Sequence, residues 1–261
     1  MTTREREQKL NQKTNTEFHN KSTEQSDKLH RLQQITIEQL PKYGINWTNH
    51  TLSTFTIGSI SRLFYYNELY KKIIDIPGVI CEFGIQWGAG LAQLINLRNM
   101  YEPHNISRKI FGFDTFEGFT SIDIKDGGFS NVGDYKTTRN YKNQLEEILT
   151  IHESFMPRAH IKKFFLIEGD ASLTIDDWLL DNPYAIVSLA FFDMDVYKPT
   201  KDVLEKILPR LTKGSILVFD ELNCDIFPGE TTAVQEVLGF NKIKLRKTAF
   251  QPFSSYAIFG E

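Results

Sequence analysis

Four short runs of apolar residues, each closed by an acid, set the architecture open to this chain. They are Gly78-Val79-Ile80-Cys81 leading into Glu82, Ile110 to Phe113 ending at Asp114, Ile186 to Phe192 ending at Asp193-Met194-Asp195, and Ser215 to Phe219 ending at Asp220-Glu221. Runs without polar alternation suit strands covered on both faces, the condition of a parallel sheet. Helix-length segments separate them, which is the spacing of right-handed crossovers within one sheet. Parallel strands end on a common edge, and open sheets bind ligands outside that edge. The expected site is therefore acidic.

Strands are expected at about 79–85, 109–114, 163–168, 185–193 and 215–220, and helices at about 89–100, 174–180 and 199–211. The last runs, Lys242 to Thr248 and Ser254 to Phe259, lie either side of Pro252 and read as an antiparallel pair finishing the sheet. The fold class is α/β: a Rossmann-like, mostly parallel seven-stranded sheet with an antiparallel C-terminal strand pair, plus N-terminal helices. Residues 1–30 are polar with almost no aliphatic side chains and read as a flexible arm. Residues 31–76 hold two helical patterns, one stopping at Pro41 and one from Ile60 to Ile74, read as a cover over the site or a contact in a homodimer. The domain proper is expected over 77–261, with the excursion 116–160 as a lid or substrate insertion.

A net charge of -3 over 261 residues gives no basic surplus for nucleic acid. No apolar stretch approaches membrane-spanning length and the first residues lack a signal-peptide core, so a cytoplasmic location away from the membrane is expected. Cys81 and Cys224 have no metal-ligand spacing.

Chemistry concentrates on the acids. The segment Glu82 to Gly90 reads E-F-G-I-Q-W-G-A-G, a turn between strand and helix whose glycines, Gly84, Gly88 and Gly90, do not match G-x-G-x-x-G. An acid before the turn repels a pyrophosphate and suits a ligand carrying a positive group or hydroxyls. Asp114 either grips both hydroxyls of a ribose or caps its own turn. Asp170, in Glu168-Gly169-Asp170-Ala171, either reaches an adenine amino group or caps the next helix. Asp193 and Asp195, two apart, share one side if the strand continues, and Asp220 with Glu221 would lie roughly 5 Å away on the neighbouring strand. Carboxylates that close repel unless a cation lies among them, and an oxygen-only set favours Mg2+ over zinc. The alternative is that they serve helix N-termini and solvent. No histidine falls in these clusters and no G-x-S-x-G occurs, so covalent catalysis is not expected.

Glu82-Phe83-Gly84-Ile85 with Gly88, then Phe111 to Phe119 (F-G-F-D-T-F-E-G-F), then Asp193-Met194-Asp195-Val196-Tyr197 with Thr200, then Phe219-Asp220-Glu221, together resemble the macrocin O-methyltransferase family from about Tyr65 to Gly260. The resemblance implies a class I methyltransferase fold, S-adenosyl-L-methionine and Mg2+ as cofactors, and methylation of a hydroxyl on a sugar-containing small molecule. It further implies that Glu82, Gly84 and Gly88 line the methionine end of the cofactor, that Asp114 holds the ribose, and that Asp170 with Ala171 frames the adenine. Asp193, Asp220 and Glu221 take the metal positions and Asp195 the general base. Glu221 stands where many members carry Asp, which lengthens one arm and keeps the oxygen donor. Rival readings are a relative of the same fold with hydroxylase-like chemistry, and a cofactor-binding scaffold without catalysis.

Overall fold

The structure, a computed structural model, describes residues 22–251 and 254–261. These residues form two compact units, one up to Ile60 and one from Ser61 onward. The polar arm expected over 1–30 lies outside the described residues as far as residue 21. Helix α1 (Thr23–Gln39) begins where Ser22 and Gln25 form a reciprocal capping box, and it gives way to 3-10 turns at Leu40-Pro41. Short turns run on to Thr54, and α2 spans Ile57–Lys71.

From Ser61 onward the chain builds one sheet. Its strands are β1 (Val79–Phe83), β2 (Ile110–Asp114), β3 (Phe164–Glu168), β4 (Val187–Phe192), β5 (Leu211–Phe219), β6 (Leu245–Lys247) and β7 (Ser255–Ile258). The order is β3-β2-β1-β4-β5-β7-β6, with β1 to β5 parallel and β7 antiparallel to both neighbours. The helices between are α3 (Ala89–Tyr101), α4 (Tyr141–Ser154), α5 (Ala171–Asp181), α6 (Tyr197–Ile207) and α7 (Pro228–Val237). Strand order reverses between β1 and β4, which opens the crevice where such sheets hold ligands. Among the described residues no helix is long and apolar enough to cross a membrane.

The pleat sorts the strand side chains into two cores. Ile80, Leu189, Phe191 and Val218 pack with Tyr65, Tyr66 and Leu69 of α2 and with α3, whereas Cys81, Phe83, Phe192 and Phe219 pack with Ile175, Trp178 and Val203 on the other face. Phe113, Phe83, Phe192 and Phe219 are register partners across β2, β1, β4 and β5 and form one buried aromatic row. Their ring centroids stand 4.6, 5.4 and 5.3 Å apart in turn. Such pairs add about 0.5–1.5 kcal/mol each beyond area burial. The residues directly after this row are Asp114, Gly84, Asp193 and Asp220.

Candidate active site

Period-two alternation decides where Glu82 faces. Glu82 lies between Cys81 and Phe83 and so faces α2, where it is 2% exposed. Its Oε1 accepts a 2.8 Å hydrogen bond from the Tyr66 hydroxyl, and its Oε2 has no partner. Burial raises its carboxyl to about 7, against the lowering effect of Tyr66 and Arg62. A buried acceptor without a partner fits a ligand's ammonium group.

The three glycines after Glu82 do more than relax the turn. A side chain at Gly84 (φ 89°) would strike the Asp193 carbonyl, one at Gly88 (φ 71°) would strike Leu145 of α4, and one at Gly90 would strike Glu82 and Tyr66. Each missing side chain admits a specific neighbour, and the first brings the β1 and β4 tips together. Asp114 clamps this same turn: its Oδ2 accepts from Gln86 N–H at 2.7 Å and its Oδ1 from Phe116 N–H at 2.6 Å. Burial still leaves its pKa above the ordinary value. Asp170 caps α5, with Oδ1 accepting from Ser172 N–H at 2.9 Å and Oδ2 from Thr120 Oγ1 at 2.7 Å. Burial works to raise its pKa, but the hydrogen bonds from Ser172 and Thr120 outweigh it and lower the pKa. Both aspartates thus take up the turn and cap roles, and helix α5 starts at Ala171 rather than near residue 174 for that reason.

Across the crevice, Asp193, Asp195 and Glu221 each offer a carboxylate oxygen within 4.8 Å of the others. The strand does not continue to place them. β4 stops at Phe192, and Asp195 adopts the left-handed conformation (φ 61°) in a turn closed by Val196 N–H to Met194 carbonyl at 2.6 Å. The turn, not the pleat, brings Asp195 to Asp193. Burial pushes Asp195 up to about 6, and burial with mutual repulsion holds Asp193 and Glu221 well above the ordinary range. Glu221 Oε2 has no hydrogen-bond partner. Three raised carboxyls sharing one small volume, with an open oxygen and no nitrogen or sulfur donor, fit a hard divalent cation.

Asp220, also expected among the metal ligands, lies outside this trio. Its Oδ1 accepts from Ser254 Oγ, and its Oδ2 stands 3.8 Å from Arg62. The same guanidinium makes a 3.1 Å ion pair with Asp193 Oδ2 and lies 5.4 Å from the Tyr66 ring centroid. Arg62 and Tyr66 were not anticipated from the sequence. The available signal was a charged residue on the stripe Arg62, Tyr66, Leu69, Ile73, whose other members are buried. Glu230, in the first turn of α7, is wholly buried; its Oε1 accepts from Glu221 N–H at 3.0 Å and its Oε2 has no partner.

The family described as macrocin-O-methyltransferase (TylF) matches residues 1–246. Among solved structures, the calicheamicin methyltransferase CalS11 is 36% identical, with a TM-score of 0.86 over 92% of this chain and 95% of its own. A second structure of that enzyme, described as a TDP-rhamnose 3'-O-methyltransferase, is 34% identical with a TM-score of 0.80, covering 92% of this chain and 96% of that one. Demethyldecarbamoylnovobiocin O-methyltransferase of Streptomyces niveus is 22% identical over 191 residues, 70% of this chain and 67% of that protein.

Proposed function

The chain belongs to the macrocin O-methyltransferase family, and from that membership we propose that it transfers the methyl group of S-adenosylmethionine, with Mg2+, to a hydroxyl of a sugar or polyhydroxylated natural product. One observation carries the metal half of this reading: carboxylate oxygens of Asp193, Asp195 and Glu221 within 4.8 Å of one another. The partnerless Glu82 Oε2 supports the cofactor half, because a buried acid is suited to the amino group of the methionine moiety.

In this reading Glu82, Gly84 and Gly88 frame the methionine end, Asp114 the ribose, and Asp170 with Ala171 the adenine. Asp193, Asp220 and Glu221 would hold the ion, with a carboxylate oxygen of Asp195 within 4.8 Å of Asp193 and Glu221. When bound, a divalent ion lowers the pKa of an acceptor hydroxyl. Asp195 would accept that proton, the general-base role that the family pattern gives this position. Residues that fix both reactants would supply the in-line approach that methyl transfer needs. Residues 77–261 would form the catalytic domain and 116–160 its substrate-facing insertion. A cytoplasmic homodimer accords with the free cysteines Cys81 and Cys224 and with exposed apolar side chains such as Ile45 and Ile57. The likeness to CalS11 makes a nucleotide-linked 6-deoxyhexose the first acceptor to try.

The test is titration calorimetry with S-adenosylhomocysteine and Mg2+, followed by methyl-transfer assays on such acceptors. We expect both ligands to bind and Asp193→Asn to remove turnover. Unchanged turnover in that variant would refute the metal role, and absence of adenosyl binding would remove the assignment's basis.

A further inference from the structure

Two motifs that the proposed reaction leaves unused meet beside the acid cluster. Asp126-Gly127-Gly128 lies in the excursion, and Phe227-Pro228-Gly229-Glu230 opens α7. A side chain at Gly229 would strike both Asp126 Oδ1 and the backbone nitrogen of Tyr197, so glycine here makes room for the aspartate. Asp126 is 1% exposed. Its Oδ2 accepts from Asp123 N–H at 2.7 Å, closing a local 3-10 turn at Ile124–Asp126, and its Oδ1 accepts from Tyr197 N–H at 2.6 Å.

The second bond is the informative one. Tyr197 is the first residue of α6, and the cap position before it is Val196, whose side chain makes no capping bond. Helix N-termini leave backbone donors that need an acceptor. Asp126 supplies one from a distant part of the chain, two residues beyond the left-handed turn that presents Asp195. Lys125 reinforces the join: its Nζ pairs with Glu236 of α7 at 2.6 Å and lies 3.9 Å from the Tyr197 ring centroid, while the Tyr197 hydroxyl donates to Glu236 at 2.7 Å. On the other side of the cluster, Glu230 holds the backbone N–H of Glu221 in the same manner.

We propose that Asp126 is a positioning residue: by capping α6 at Tyr197 it fixes the turn that brings Asp195 to Asp193 and Glu221, which makes this part of the excursion a built-in wall of the divalent-ion site. The inference rests on the metal-dependent reading above. It assigns Asp126 no contact with acceptor or cofactor.

The experiment measures Mn2+ binding by the free-ion paramagnetic signal, and S-adenosylhomocysteine binding by calorimetry, on the full chain and on Asp126→Ala, Asp126→Asn and Gly229→Ala. Outer-sphere partners of metal ligands typically contribute about 10–100-fold to metal affinity. The alanine variant and Gly229→Ala should each weaken Mn2+ binding about tenfold or more, with cofactor-product affinity held within about twofold. Asn keeps an oxygen for Tyr197 N–H but sets an amide donor against Asp123 N–H, so it should melt lower yet bind Mn2+ within about threefold of wild type. A folded Asp126→Ala that binds Mn2+ like wild type overturns the proposal. So does an Asn variant as impaired as the alanine one. If Asp126→Ala does not fold, Gly229→Ala decides by the same criterion. Wild type that binds no Mn2+ sinks the metal-dependent reading and this inference with it, whereas wild-type binding with undisturbed variants sinks this inference alone.

Discussion

Replacing Glu82 with Gln separates the stability of this site from its use. Glu82 is buried against Tyr66, and its folded pKa stands at about 7 against an ordinary value of 4.5. A carboxyl raised on folding favours the folded state below the unfolded value, and that advantage is lost as pH climbs through the folded value. Between pH 5 and pH 8 this one group should therefore remove about 2–3 kcal/mol from the wild-type protein, taking about 1.4 kcal/mol per pH unit over the window between the two values. Gln keeps the oxygen that accepts from Tyr66 and cannot ionise. Any packing cost of the amide is the same at both pH values and cancels in the comparison. Urea denaturation of both ligand-free proteins should show the variant gaining about 2–3 kcal/mol on wild type from pH 5 to pH 8. At pH 8 the same variant should bind S-adenosylhomocysteine about 10–100-fold more weakly, the value of a lost charge-assisted hydrogen bond. A stability difference flat with pH would refute the buried-carboxyl argument, and unaltered cofactor-product affinity would refute the role given to Glu82.

Arg62→Gln removes the cation paired with Asp193 and facing Asp220. The metal-free protein should lose about 1–2 kcal/mol at pH 8, a value between exposed and buried pairs, and Mg2+ should raise the variant's Tm more than it raises the wild type's; equal Mg2+ shifts in scanning calorimetry would contradict this. Gly84→Ala forces a methyl group against the Asp193 carbonyl at a left-handed position. It should cost about 3 kcal/mol or more by denaturant titration, from overpacking and backbone strain together, and a loss under about 1 kcal/mol would show that the two strand tips can part freely.

The sheet was legible because burial on both faces leaves a plain mark: β1, β2, β4 and β5 each contain an apolar run that an acid closes. The residues that gather at the edge were legible for the same reason. How they gather was less so. Strand periodicity placed Asp193 and Asp195 on one side, yet a left-handed turn performs that task, and a turn held by a carboxylate some 70 positions upstream leaves no local signal. The sequence shows the neighbours of Asp220 in the chain but not Ser254 and Arg62, which face it in the structure. Asp114 and Asp170 each admitted two roles, and in the structure both accept from backbone N–H groups. The early start of α1 rests on Ser22 and Gln25, a reciprocal pair outside the apolar pattern from which the helix was read.

The row formed by Phe113, Phe83, Phe192 and Phe219 works as a common datum line beneath the chemistry. Because these rings lock neighbouring strands in step, Asp114, Gly84, Asp193 and Asp220 all emerge at one height, whatever the loops above them are doing. Loop sequences on this scaffold are thereby free to diverge toward new acceptors, while a slip of one residue in any of the four strands would turn its acid into the opposite face and dismantle the site.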